Sequence, residues 1–237
     1  MKQNSDRVIH NSEFHHYLET TNFPPHGNFS NIVLYNKTLT LLSFNDSSFS
    51  GFVADSCFIR STTFRRTIFD RALFTDCDLR EASFQDSVHK DTVFSNCNLV
   101  GVDFSGAKGL PTSSMIMKRS FRRDELGYIV YKVFCSDTWD NYYIKPFNWK
   151  IKEGSFLKDT VNPDRTCECA CGVNFATRKW CETQLTYRVP RTLWKCRIRW
   201  EDLPDVVIPY NFDGKGRCAK LELLHPVKIV SRRTWGV

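Results

Sequence analysis

A five-residue period constrains the N-terminal half of this 237-residue chain more than any other feature. Counting every fifth residue from Phe29 to Phe104, fourteen of sixteen positions hold Phe, Leu or Ile, and the exceptions are Ala54 and His89. The residue two places earlier is small: Cys57, Thr62, Thr67, Ala72, Cys77, Ala82, Ser87, Thr92, Cys97 and Val102. In extended backbone, residues two apart project to the same side, so each large side chain and its small companion point inward together. A period of five suits neither a helix nor a flat strand. It requires a chain that turns a corner every five residues. The repeat also explains why 19 of the aromatic residues are Phe against 8 Tyr and 6 Trp.

The motif stands in the sequence as Ala72-Leu73-Phe74, Cys77-Asp78-Leu79, Ala82-Ser83-Phe84 and Cys97-Asn98-Leu99. These stretches resemble the pentapeptide-repeat family, with Leu73 departing from the polar second position. The resemblance implies a right-handed quadrilateral β-helix with twenty residues per coil. Cys57, Cys77 and Cys97, spaced by twenty, would then stack on one side as small inward fillers. His89 occupies an inward slot and is expected to be a core residue with a hydrogen-bond partner.

Stacking by twenty also lets the outside be read in columns. Asp46, Arg66 and Asp86 form one column, Ser50, Asp70 and Lys90 another, and Arg60 lies over Arg80. Residues 40–110 carry seven basic and nine acidic side chains. Some family members imitate duplex DNA, which carries about one negative charge per 1.7 Å. A near-neutral rod with mixed columns is a poor imitation. Val33, Val53, Leu73 and Val93 share one outward position, and Ile68 and Val88 stack on the neighbouring side. Six outward apolar residues of this kind cover something: another part of the chain, a second copy in a homodimer, or a different protein.

Gly106, Gly109 and Pro111 punctuate the end of the repeat. The charge changes sign there, residues 111–237 carrying 23 basic and 14 acidic side chains. The expected organisation is an N-terminal helical cap over 1–26 with a helix over Ser12–Glu19, a β-helix over 27–110, and a basic α+β domain over 111–237. In that last domain the pattern predicts a short basic helix over Ser113–Glu125 and another over Thr177–Gln184. It predicts strands at Tyr128–Phe134, Tyr142–Ile144, Leu185–Val189, Leu193–Trp200, Val206–Ile208 and Ala219–Leu224, forming a largely antiparallel sheet. The stretches 149–154, 169–177 and 216–222 resemble a C-terminal domain that follows pentapeptide repeats in bacterial and phage proteins.

Three constellations in this half bear on chemistry. Cys167, Cys169 and Cys171 alternate, so on a strand three thiols would share one face, and Cys181 or Cys196 would complete a zinc site. The spacing is not the paired Cys-x2-Cys of structural zinc, and core or partly exposed thiols are the competing reading. Residues 171–177 are similar to the Gly-Ile-x-Phe-Ser strand of ADP-ribosyltransferases, which would give Glu182 or Glu222 a role beside a nicotinamide ribose. Lys195, Arg197 and Arg199 alternate with apolar residues along a predicted strand. With Arg119, Arg122 and Arg123 they would present a cationic face to nucleic acid or an acidic protein.

No Ser–His–Asp, Walker or HExxH pattern occurs, and no catalytic residue is assigned. The start of the chain has no apolar core of a signal peptide. No run approaches the ~20 apolar residues of a membrane span, so a cytoplasmic setting, bacterial or phage-infected, is expected. The leading expectation is a non-enzymatic protein-interaction protein that modulates a macromolecular complex; nucleic-acid binding and nucleotide-using transfer are the alternatives.

Overall fold

In the computed structural model, residues 8–135, 149–186 and 191–227 are described. They form two compact units. One comprises the chain through Pro111 together with Arg165–Glu168 and Pro209–Asp213; the other holds Thr112–Asp164, Cys169–Ile208 and the chain from Gly214 on.

The first unit is a parallel β-solenoid, and its backbone explains the period of five. From Asn31 to Gly106 every fifth residue is left-handed, with φ between 52° and 74°. Ten of these sixteen corner residues are Asn, Asp or Gly, the types that adopt this conformation at least cost. Between corners the chain is extended and pairs in register with the segment twenty residues on. Strands β1 (Val33–Tyr35), β2 (Val53–Asp55), β4 (Leu73–Thr75) and β6 (Val93–Ser95) form one parallel sheet, and β3 (Ile68–Asp70) pairs with β5 (Val88–Lys90) on the adjoining side. Single parallel bridges such as Thr63↔Ser83 and Phe58↔Asp78 continue the ladder on the other two sides.

Inside, the large residues stack as columns of rings. Phe44, Phe64, Phe84 and Phe104 follow one another at 5.5, 5.0 and 5.3 Å between centroids, nearly parallel. The small residues do a different job. Thr67 Oγ1 donates to Phe44 O at 2.8 Å, Cys77 Sγ to Ala54 O at 3.4 Å and Cys97 Sγ to Phe74 O at 3.4 Å. A short side chain with a donor therefore satisfies a buried carbonyl of the coil before it. Cys57, Cys77 and Cys97 are buried and form the expected internal ladder.

Both ends of the ring columns are closed. Helix α1 (Asn11–Thr20) places buried Phe14 5.4 Å from Phe29 and 6.2 Å from Phe44. At the other end Tyr210 lies 4.7 Å from Phe104, and the Arg165 guanidinium sits 4.1 Å over the Tyr210 ring. Tyr210 N donates to Arg165 O at 3.0 Å, and Asn211 Nδ2 to Cys97 O at 3.1 Å. The closing segments thus come from more than fifty residues further along the chain.

The second unit is built on one antiparallel sheet. Its strands are β7 (Arg122–Arg123), β8 (Gly127–Cys135), β9 (Phe156–Lys158), β10 (Val173–Ala176), β11 (Arg191–Arg199), β12 (Lys215–Cys218) and β13 (Lys220–Pro226). Their order is β12-β10-β8-β11-β13-β9, with β7 added beside β8. β8 and β11 pair along their whole length, from Gly127↔Arg199 to Cys135↔Arg191. Alternation along them buries Val130, Phe134, Cys196 and Ile198, which join Leu157, Leu221 and Leu223 in the core. Helices α2 (Ser113–Ser120) and α3 (Arg178–Thr183) are each N-capped by a threonine, Thr112 and Thr177.

Several expectations change here. The basic helix ends at Ser120, because Arg122 and Arg123 are drawn into the sheet beside β8. Residues 184–186 form a 3-10 turn rather than the start of a strand, and the rest of the Leu185–Val189 strand, like Tyr142–Ile144, lies outside the described residues. Among the described residues Val206–Ile208 makes the single bridge Val207↔Arg217.

Candidate interaction surface

The side of the solenoid formed by β1, β2, β4 and β6 brings four of the expected residues into one column. Val33, Val53, Leu73 and Val93 are direct Cα partners, each to the next. Leu73 is 36% exposed and Val93 49%; Val33 and Val53 are half-buried. Ile68 and Val88 are partners on the adjoining side, 47% and 44% exposed. The column is straight because the twenty-residue register returns the same side chain to the same side in every coil. β-branched side chains suit such a ladder, where each packs against the neighbour above and below.

Other outward columns carry Arg–Asp pairs, beside exposed Tyr35, Leu41, Phe58 and Val100. Arg66 holds Asp46 by two hydrogen bonds of 2.6 Å, which keeps that carboxyl below the usual range. Asp78 is likewise lowered, first by its hydrogen bond from Arg80 at 2.6 Å, with Arg60 at 3.2 Å. Inside, His89 is buried, with Nε2 2.8 Å from Ser87 Oγ. Its ring stacks on Phe69 at 5.4 Å, and burial lowers its pKa to about 4. Histidine at this slot is a neutral core residue with the hydrogen-bond partner expected of it.

Of the sites expected in the C-terminal half, the metal cluster does not form among the described residues. Cys169 and Cys171 lie in bends and Cys167 in irregular chain, none on a strand, and Cys181 is buried in α3. Among the described residues no three His, Cys, Asp or Glu side chains gather closely enough to hold a metal ion. Cys181 and Cys218 are pushed up to about 12 by burial, the behaviour of inert core thiols. Glu182 is paired with Arg178 at 2.7 Å on the exposed side of α3. Glu222 takes Arg199 at 3.0 Å and Arg197 at 3.3 Å, and these guanidiniums hold its carboxyl below the usual range.

Those same ion pairs neutralise part of the expected cationic face. Arg197 is also bound to Asp124 at 2.7 Å. Carboxylates on β13 and on the turn before β8 thus take up the two arginines, because the antiparallel register places Glu222 directly beside Arg197. Lys195 is half-buried on β11, Arg119 lies in the last turn of α2, and Arg122 and Arg123 are exposed on β7. One group absent from the sequence reading is Lys132. It sits at the inward phase of β8 between Val130 and Phe134, donates from Nζ to Asn174 O at 2.8 Å, and is lowered to about 8 by burial. The inward phase was visible in the alternation; the charge at it was the signal.

The first unit is a parallel β-solenoid built from five-residue units on four sides. Residues 59–88 match the family described as "Pentapeptide repeats (8 copies)", and the solenoid is a pentapeptide-repeat domain. Among solved structures, the chain is similar to HetL, a pentapeptide repeat protein involved in heterocyst differentiation regulation in the cyanobacterium Nostoc sp. strain PCC 7120. The identity is 19%, over 42% of this chain and 46% of that one, with a TM-score of 0.27. It is also similar to the pentapeptide repeat protein Rfr23 from the cyanobacterium Cyanothece 51142, at 10% identity over 41% of this chain and 94% of that one, TM-score 0.27. The chain thus spans about half the length of HetL. No curated protein sequence matches it. Among the described residues no helix is long and apolar enough to cross a membrane.

Proposed function

We propose that this chain is a non-enzymatic protein-binding scaffold whose valine column is the contact surface. One observation carries the reading: a four-stranded parallel sheet leaves Val33, Val53, Leu73 and Val93 in register on an outward side. In other architectures parallel sheets have both faces covered, and an exposed apolar strip of this kind gains from a partner. Covering four half-exposed aliphatic side chains would contribute roughly 4 kcal/mol, taking about half of the ~1.5–3 kcal/mol of full burial for each. The rigid rod keeps that strip ordered before binding, so little entropy is lost on association. The finer proposal is modulation of a host macromolecular complex, such as a defence, restriction or topoisomerase assembly in a bacterial or phage-infected cell.

The test is site-specific photo-crosslinking in cells of the organism that encodes the chain. A photoreactive residue at position 73 is expected to give a discrete adduct, and one at Thr63, on the polar side, is not. Equal adducts at both positions, or none at 73, would sink the proposal.

A further inference from the structure

The charges bordering the valine column say what kind of surface it takes; this inference rests on that column being an interface. On other sides of the solenoid Asp46 is matched by Arg66 and Asp78 by Arg80, while Glu81 accepts from Ser61 Oγ and Asp103 from Ser105 N. Beside the column stand Asp55, on β2, and the corner residues Asp76 and Asp91. Among the described residues none of these three pairs with a cation. Asp55 accepts from Ser56 Oγ at 2.8 Å, and Asp76 accepts from the Asn96 side chain. Arg71, at the same border, leans to Asp70 at 3.8 Å. An apolar strip is therefore rimmed by three unmatched carboxylates, in a chain whose net charge is +7.

Geometry narrows the occupant further. The column crosses three coil spacings of about 4.8 Å, or roughly 14 Å, and each three-residue strand is about 10 Å long. That area is far below the roughly 800 Å² per partner of a stable dimer, so the strip is sized for one narrow element rather than for the face of a second copy. An added strand is excluded too, since this side presents side chains while the backbone groups bond between coils. An α-helix laid along the solenoid axis advances about 5.4 Å per turn. One aliphatic residue per turn then meets one coil, and about three turns cover the column.

We propose that the valine side binds an amphipathic helix of a partner protein, whose aliphatic stripe lies on Val33, Val53, Leu73 and Val93. Lysines or arginines flanking the stripe meet Asp55, Asp76 and Asp91. The measurement is fluorescence anisotropy on the full chain with two labelled helical peptides. Both carry Leu at one position per turn; one has Lys and the other Glu at the flanks. The Lys peptide is expected to bind, to weaken on adding salt, and to lose about tenfold in affinity in the triple variant Asp55→Asn, Asp76→Asn, Asp91→Asn. It is expected to be lost in Leu73→Ser, and the Glu peptide is expected not to bind. Circular dichroism establishes that each variant keeps its fold. A Lys peptide that does not bind, a Glu peptide that binds equally, or binding indifferent to the triple variant overturns the helix proposal. Failure of the interface itself is read separately, from a missing adduct at position 73 in cells.

Discussion

Acid should loosen the solenoid through His89, and replacing that residue by Phe should remove the effect. The His89 ring lies between Phe69 and Phe104, with Ser87 Oγ beside Nε2 and, among the described residues, no partner on Nδ1. Burial alone lowers its pKa to about 4 from the ordinary 6.5. The folded chain therefore stays neutral at His89 down to about pH 4, while the unfolded chain takes up a proton below 6.5. Unfolding binds the proton, so the contribution of His89 to stability is constant above pH 6.5 and falls from there to pH 4. At 1.36 kcal/mol per pH unit the loss is about 2 kcal/mol at pH 5 and about 3 kcal/mol at pH 4. The assay is urea unfolding of the native chain and of His89→Phe at pH 7.5 and at pH 5. Carboxylates such as Asp46 and Asp78 also titrate in acid, but their contribution is common to both proteins and cancels in the difference. The native chain should lose about 2 kcal/mol more than the variant between the two pH values. Parallel losses, or a His89 imidazole seen by NMR to titrate near 6.5 in the folded protein, would refute the reasoning.

Leu41 sits at a corner with φ 63° and is 77% exposed. Leu41→Asn should raise stability by about 1 kcal/mol by relieving the left-handed strain, seen as a higher melting temperature. Tyr210→Ala opens the end of the ring column at Phe104 and should cost roughly 2–3 kcal/mol, measured by urea unfolding. Alkylation under native conditions should modify Cys169 and Cys171, which are exposed, well before Cys196 and Cys218, which are buried with raised pKa. Peptide mapping by mass spectrometry checks that order.

The solenoid was legible because its rule is local: Phe84, Ala82 and the corner at Asp86 specify one unit without help from elsewhere in the chain. The corner itself was the unread signal, since Asn, Asp and Gly recur at 31, 36, 46 and 51 as plainly as Phe recurs inside. β8 and β11 were legible because long alternation defines a strand. The short strands Phe156–Lys158 and Lys215–Cys218 were not, because three or four residues carry too little pattern and their pairing with β13 and β10 decides them. The cationic reading of Arg197 and Arg199 came from one strand alone. Glu222 and Asp124, distant in sequence, supply the opposite charge. Closure of the ring column by Tyr210 is long-range for the same reason.

The register of twenty residues between partners such as Asp46 and Arg66 has a consequence for how this chain could change over time. Losing or gaining five residues would turn every later coil by a quarter, carrying the valines onto another side and swinging Phe104 away from Tyr210. Losing or gaining twenty would leave each side in place and only alter the rod's length. Inheritance would therefore tolerate indels here in whole-coil quanta, so that related genes should differ in this region by multiples of twenty codons.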